Sequence, residues 1–597
     1  MERKYYIGID FGHGETTVSR VPGYGSDKVS QMKIRRTSDE KSKKVISAIC
    51  KRNEKWSLVY GEDDFSSKEI REGFKDRVSR MSDTDKESFE RFARLIFAEI
   101  LANDDQLVYK SYEERNFELW IACPSGWTLS DPEAAKEYLE FFRNRCGLPV
   151  DGCIKESDAA FFSKFEEYED YNSVFVIDLG SSTVDYTTYS NSRIISEGCW
   201  GECLGAHQIE DILIDYILST KKHTDALKEI DQLRKNNNWK GDIKHAMSLY
   251  ARLHKERHYI NNTSGINFPI FYKDLYPFLD DSKLFQPVVA CIISEENYCN
   301  LISSYCNQLL ESFRNAALKL QRHDITPDRI ILSGGASQMP FVKKYVESVF
   351  GNIVDRDNTP ECVVSSGLAL YAKRLDECKT AMMKKFRAVD FRSLYIESDK
   401  KAMKSSAEAL LPSTLNNIKT GDNCKNGHDM RNAVCSFFRS LDESNQKFAD
   451  NFKHSLRVGL SQKIKTAIEE TIQEEFHVKI EAHSKISVKD IPILSTPPSL
   501  FRPGGQMYNL IGTWIEKSYA ATFGFNWDKE RSWDERIKIA TGLQKYISAF
   551  IISDHFLTYG DLSPIIEYIT SQAEEQLLKS FETNQVFETT YKNKTKE

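Results

Sequence analysis

Residues 5–21 read YYIGIDFGHGETTVSRV, and residues 174–190 read VFVIDLGSSTVDYTTYS. Each has an apolar run of Tyr, Ile, Val or Phe, then an aspartate, a glycine-bearing turn and a second run rich in Thr and Val. That pattern predicts strand–turn–strand. Asp10-Phe11-Gly12 and Asp178-Leu179-Gly180 take equivalent places. A unit repeated at this separation predicts two similar domains, not a short-period solenoid. Glycine lets backbone N–H groups approach an anion with no Cβ in the way. Ser and Thr hydroxyls can add hydrogen bonds to phosphate oxygens. A carboxylate at a strand end suits Mg²⁺, which prefers oxygen ligands and keeps several waters. Two such hairpins, one from each domain, would clamp a triphosphate. Neither contains GxxxxGK[ST], so neither is a P-loop. One glycine turn between strands is ordinarily only a turn; the repeated Asp–Gly–Thr pattern is harder to set aside.

A third segment, DRIILSGGASQMPFVKKYVESVF (328–350), predicts a strand, a Gly334-Gly335 turn and an amphipathic helix. Paired glycines at a strand–helix junction permit close approach of a flat ring or a phosphate. Pro340 falls near the helix start, where proline is tolerated.

Together these segments resemble the actin, sugar-kinase and heat-shock-chaperone ATPase superfamily. In order and spacing they are most similar to the DnaK-type heat-shock chaperone ATPase domain, over residues 4–376. Further stretches share the likeness: 117–150 (strand, proline turn, helix), 156–168 (a connecting helix opening on Glu156), 202–217 (a strand-to-helix junction with Gly205) and 359–374 (a second connecting helix with Gly367 at a close-packing point). The resemblance implies a two-lobed α/β actin-like ATPase fold with ATP/ADP and Mg²⁺ in the cleft. Asp10 and Asp178 would organise the metal. Gly12, Gly14, Thr16 and Thr17 would meet the phosphates, opposite Gly180, Ser181, Ser182 and Thr183. Glu156 would place the attacking water. Lys75 would approach the γ-phosphate, a solvated lysine being the equal alternative. Gly205 would serve the nucleotide site, Gly334, Gly335 and Ser337 would border the adenosine, and Arg257 would reach the adenine. There are departures. The first turn, GHGETT, reads as longer than the family's. Ser181 and Ser182 replace two glycines, and Gln338 stands where an arginine commonly stacks on adenine.

The expected organisation is a first lobe over 1–171 with an outer insertion at 46–107, and a second lobe over 172–376 with an insertion at 211–290. A mainly helical region follows at 380–597. In that region Phe452, Leu456, Leu460, Ile464, Ile468, Ile472 and Phe476 recur every four residues, a core-packing stripe. Residues 476–494 alternate apolar and polar, which predicts a small β-element. STPPSLFRPGG (495–505) predicts a linker, and helical patterning then resumes before a polar tail at 589–597. His477 and His483 lack ligand spacing and are expected to face solvent.

The 597 residues are 40% hydrophobic and 28% charged, which argues against global disorder or a fibrous coil. With 81 basic against 88 acidic residues the net charge is −7, so a nucleic-acid partner is not expected. Neither a signal peptide nor a membrane span is expected. Thirteen scattered cysteines suit a reducing cytoplasm. Cys199 and Cys203 with His207 nearby have no second pair at zinc-like spacing, which favours a structural role over metal binding. The expected activity is ATP hydrolysis coupled to a protein client or co-chaperone-like partner bound by 380–597. The rival readings are a nucleotide-binding interaction protein with little hydrolysis, a small-molecule kinase of the same superfamily and a filament former.

Overall fold

A computed structural model describes residues 5–25, 27–37, 40–42, 44–61, 64–65, 69–131, 133–164, 171–190, 193–219, 241–261, 263, 265–271, 287–440, 446–476, 527–552 and 562–583. The chain is mixed α/β and divides into two compact units. One comprises Met1–Glu377 with Phe476–Val478 and Thr590–Glu597; the other comprises Cys378–Glu475 and Lys479–Thr589.

The first half of the larger unit opens with β1 (Tyr5–Phe11), β2 (Glu15–Pro22) and β3 (Ser30–Gln31). A short ladder of β4 (Ile34–Thr37) and β5 (Glu40–Ser42) follows, then β6 (Lys44–Ile46), which pairs with β2. β7 (Ala48–Arg52), β8 (Lys55–Leu58) and β9 (Ile70–Glu72) make a separate three-stranded sheet. α1 (Asp83–Asn103), β10 (Phe117–Cys123), α2 (Ser125–Ser130), α3 (Ala134–Glu140), β11 (Val150–Lys155) and α4 (Glu156–Phe162) complete it. The second half runs β12 (Ser173–Leu179), β13 (Val184–Ser190), β14 (Arg193–Glu202), α5 (His207–Ser219), α6 (Gly241–Asn261), β15 (Gly265–Phe271) and β16 (Pro287–Ser294). It ends with α7 (Glu295–Arg322), β17 (Arg329–Ser333), α8 (Pro340–Phe350), β18 (Val354–Arg356) and α9 (Val363–Arg387).

The two main sheets repeat one topology. Their strand orders are β11-β10-β1-β2-β3 and β18-β17-β12-β13-β14. In each, the leading strand is antiparallel to its hairpin partner and parallel to the strand that returns after a helix. Register agrees as well: Asp10 opposes Thr17 and Phe11 opposes Thr16, while Asp178 opposes Asp185 and Leu179 opposes Val184. Aromatic residues fill one face of each sheet. Phe11 stacks on Phe142 at 4.7 Å and meets Phe89 edge-on, whereas Tyr186 stacks on Trp200 at 4.6 Å. Each such buried ring contributes about 1.5–3 kcal/mol.

The halves exchange helices. α4 follows the first sheet but packs on the second: Phe161 stacks on Tyr189 at 3.6 Å, and Tyr189 donates to Asp158 at 2.9 Å. α9 follows the second sheet but lies on the first. A Cβ on Gly8 of β1 would come 2.2 Å from the Ser365 carbonyl oxygen. Thr17 donates to Ser365 at 3.0 Å, and Ser19 shares a hydrogen bond with it at 2.9 Å. The two helices touch where a Cβ on Gly367 would fall 1.6 Å from the Ala159 carbonyl oxygen. Only glycine fits that crossing.

The regular elements of the smaller unit's described residues are all helices: α10 (Phe391–Thr420), α11 (Gly427–Ser440), α12 (Gln446–Phe476), α13 (Trp533–Ile552) and α14 (Ser563–Thr583). The four-residue stripe lies on α12, and Phe452, Leu456, Leu460, Ile464, Ile468 and Ile472 are buried. Arg536 donates to the carbonyls of Ile418 and Gly421, satisfying the C-terminal end of α10. His477, His483, the expected β-element beyond residue 476, the linker at 495–505 and the tail at 589–597 lie outside the described residues. So do 220–240 and 272–286 of the expected second insertion. No described helix is long and apolar enough to cross a membrane.

Gly367→Val puts a branched side chain against the Ala159 backbone, and overpacking of this kind typically costs ~1–3 kcal/mol. The denaturant midpoint should fall accordingly; an unchanged midpoint would mean that the crossing is not tight.

Candidate functional site

Both hairpin turns hold four residues, 12–15 and 180–183, between paired ends. The two turns are thus equal in length. Thr16 and Thr17 already belong to β2, where they are buried. Thr16 bonds Ser47 at 3.0 Å and Thr17 bonds Ser365. All eight turn residues, Gly12, His13, Gly14, Glu15, Gly180, Ser181, Ser182 and Thr183, line one cleft.

The turns are held from behind. The Gly180, Ser181 and Ser182 carbonyls accept from the backbone N–H groups of Ala206, His207 and Gly205 at 3.2, 2.8 and 3.2 Å. A trans peptide sets N–H opposite C=O. The N–H groups of Ser181, Ser182 and Thr183 thus point the other way, toward the cleft. Ser47 does the same for the first turn, donating from Oγ to the Gly12 carbonyl at 2.7 Å and from its N–H to that of Gly14 at 2.8 Å. Gly205 does not line the cleft. A Cβ there would strike the Ser181 carbonyl at 2.2 Å, so this glycine lets α5 start directly behind the turn.

Charged groups from both sheets line the inner cleft. Lys75 follows β9 and is buried, paired with Glu156 at the first residue of α4 and with Asp10 at 3.3 Å. Burial opposes the Lys75 charge, but Glu156 and Asp10 outweigh it and hold the amine well above the usual lysine range. Burial, with Asp10 and Asp178 nearby, pushes the Glu156 carboxyl up to about 7 despite Lys75. Burial and the charges of Asp185 and Asp10 push Asp178 up to about 7. Asp178 Oδ1 is buried with no hydrogen-bond partner. Asp185, at the register place of Thr17, is likewise raised to about 7 by burial and Glu156. It accepts from Thr183 Oγ1 at 2.7 Å and from the Gly126 N–H at 3.0 Å.

The outer cleft is formed by α6 and the Gly334 loop. Gly334 adopts φ +82°, and a Cβ there would meet the Leu179 carbonyl at 2.2 Å, so the loop seats directly on the second hairpin. Gly334, Gly335 and Gln338 line the cleft. Ser337 is buried behind them, its carbonyl accepting from Arg356 at 2.8 Å. Gln338 donates its amide to Glu361 at 2.6 Å. On α6 the lining residues are Arg252, Lys255, Glu256, Tyr259 and Ile260, while Arg257 is exposed and does not line the cleft. Positions 252, 255, 256 and 259 share one helical face, and Arg257 is out of phase with it. That spacing was the available signal for these residues. Asp185, Glu15, Lys44 and His13 were also not singled out from sequence. Burial, with His207 and Arg252 nearby, lowers the His13 imidazole to about 4.

Among the described residues, no three His, Cys, Asp or Glu side chains are grouped to hold a metal alone. Cys199 is buried, Cys203 is exposed, and His207 Nδ1 lies 2.8 Å from the Ser181 carbonyl oxygen. Asp10 and Asp178 with the unpartnered Asp178 Oδ1 instead fit Mg²⁺, which uses one or two carboxylates and takes its other oxygens from water and phosphate.

Raised folded-state carboxyl pKa values fix a stability trend. Between about pH 4 and 7 the folded chain binds more protons at Glu156, Asp178 and Asp185 than the unfolded chain does. Stability contributed by these groups falls as pH rises through that window. Without metal or nucleotide, the thermal midpoint should be lower at pH 8 than at pH 5, and Asp185→Asn should shrink the difference. A midpoint that rises from pH 5 to 8 would contradict this.

No family model matches the chain. Among curated proteins, the mitochondrial iron–sulfur cluster biogenesis chaperone of Saccharomyces cerevisiae is 24% identical over 261 residues, covering 42% of this chain and 36% of that protein. The chain thus spans about a third of the length of this relative, and what the similarity supports is a distant, chaperone-like relation.

Proposed function

We propose that this chain is a heat-shock-chaperone-like, Mg²⁺-dependent ATPase of two-lobed, actin-like plan. It would couple ATP binding and hydrolysis in the cleft to conformational change and to client or partner binding by residues 380–597. The observation that carries the reading is that two topologically equivalent turns, one from each sheet, put all eight of their residues on one cleft. The chaperone name of the distant relative supports the client half of the proposal.

The residues divide the work as follows. Backbone N–H groups of the two turns, with the Ser181 and Ser182 hydroxyls, cradle the β- and γ-phosphates. Thr183 spends its proton on Asp185 and therefore offers the cleft an acceptor oxygen. Glu156 orients the attacking water and accepts its proton; a carboxyl near 7 is matched to that task. Lys75, fixed by Glu156 and Asp10, meets the negative charge that develops on the transferred phosphoryl group. Asp10 and Asp178 would hold Mg²⁺, which supplies charge neutralisation for the bound phosphates. The Gly334–Gly335 backbone borders the nucleoside.

Four cationic and seven acidic side chains line the cleft. Lys75, Lys255 and Arg252 are each paired with a carboxylate, and so is Lys44. A polyphosphate meets a net-negative lining, so binding should need the divalent ion. Chelation with EDTA should weaken ATP affinity at least about a hundredfold, and full affinity in EDTA would argue against the reading.

Glu156→Gln should lower turnover by roughly a hundredfold or more while leaving MgATP affinity close to the parent's. Asp10→Asn and Asp178→Asn should weaken both. Equal ADP release by the parent and all three variants would place the chemistry elsewhere. Tight MgATP binding with no ADP release favours a nucleotide-binding interaction protein. Transfer to a supplied polyol faster than to water favours a kinase.

A further inference from the structure

We propose that Glu15 is a built-in anion that competes with polyphosphate for the cations of the cleft and ties the first turn to the second half until it is displaced. The inference rests on the reading of the cleft as a polyphosphate site. Glu15 and Thr183 hold the same register place, each immediately before the residue that closes its turn. Where the second turn presents a hydroxyl, the first presents a carboxylate. That carboxylate pairs with Lys44 of β6 at 2.7 Å and with Arg252 of α6 at 3.4 Å. Its other oxygen lies 3.8 Å from the place a Cβ on Gly335 would take. Arg252 also donates to the Gly14 carbonyl and to Glu256 at 2.8 Å.

One carboxylate thus joins a strand of the first half to a helix of the second, beside the edge of the glycine loop. Both partners, and Gly335 as well, line the cleft. Lys75 and Lys255 are held differently, by carboxylates that lie off the turns, at Glu156, Asp10 and Glu210. A phosphate oxygen drawn to Lys44 or Arg252 meets Glu15 already there. Two like charges on one partly buried cation pair are unfavourable, and a stripped cation pair is equally so. The ligand must therefore replace Glu15, and Glu15 sets the concentration at which the cleft fills.

The test titrates the full chain with MgATP and, separately, with magnesium tripolyphosphate by calorimetry. Glu15→Gln keeps the shape and removes the charge, so it should bind both probes about tenfold more tightly, a change of ~1.4 kcal/mol. Glu15→Asp, one methylene shorter, should fall between the two. Lys44→Gln should bind more weakly than the parent, an opposite sign that general damage to the fold would not give. In the ligand-free protein, Glu15→Gln should also speed hydrogen exchange in residues 12–17 and 249–260. Parent binding with unchanged or weaker binding by Glu15→Gln overturns the competitor role alone. No binding of either probe by the parent or by Glu15→Gln overturns the polyphosphate reading and this inference with it.

Discussion

The backbone-to-backbone crossing of α4 and α9 at Ala159 and Gly367 is the constraint on which the rest of the larger unit depends. Each helix leaves its own sheet and packs on the other, so each half covers part of its counterpart's sheet. The exchange also determines which ends of the sheets meet. α4 begins at Glu156, immediately after β11, and that residue reaches Lys75 and the Asp10 end of β1. α9 starts near Glu361, which accepts from Gln338 of the glycine loop and, through its carbonyl, from Thr17 of β2 at 3.3 Å. Moving the helices apart by the width of a methyl group would separate the very groups that line the cleft.

The cleft is electrostatically tense. Burial pushes the carboxyls of Glu156, Asp178 and Asp185 up to about 7, and the cations of the cleft are held in carboxylate pairs. An interior arranged this way relaxes when a ligand brings compensating charge, because removing one member of a buried pair without replacement is costly. A metal–polyphosphate ligand brings both signs at once. The same groups that would hold such a ligand connect the two halves when it is absent, which is how occupancy of the cleft could be felt at a distance.

Much of this was legible in the sequence, and the exceptions have physical causes. The two Asp–Gly hairpins stood out because they share a strand pattern as well as a glycine, and they occupy matched places in matched sheets. Asp10, Gly12, Gly14, Lys75, Glu156, Asp178, Gly180, Ser181, Ser182, Thr183, Gly334 and Gly335 all line the cleft. Lys75 could not be told from a solvated lysine by sequence alone, because its burial comes from α4, eighty-one residues away. Thr16 and Thr17 are buried in β2 and do not line the cleft; a four-residue turn cannot be distinguished from a six-residue one without register. Arg257 has a residue type that suits a nucleotide but a helical phase that turns it away from the face shared by Arg252, Lys255, Glu256 and Tyr259. Ser337 and Gly205 sit one layer behind the cleft, where they position the residues that line it. Asp185 was invisible as a site residue, since period-two alternation does not say which strand residue faces its partner's aspartate.

The central claim is that the two turns grip one polyphosphate. It is tested most directly by a crystal structure of the full chain with Mg²⁺ and a non-hydrolysable ATP analogue. The expected result is triphosphate density between residues 12–15 and 180–183, with the metal on the Asp10 and Asp178 side and the nucleoside against Gly334 and Gly335. A nucleotide bound anywhere else, or a cleft that stays empty at saturating ligand, would contradict it.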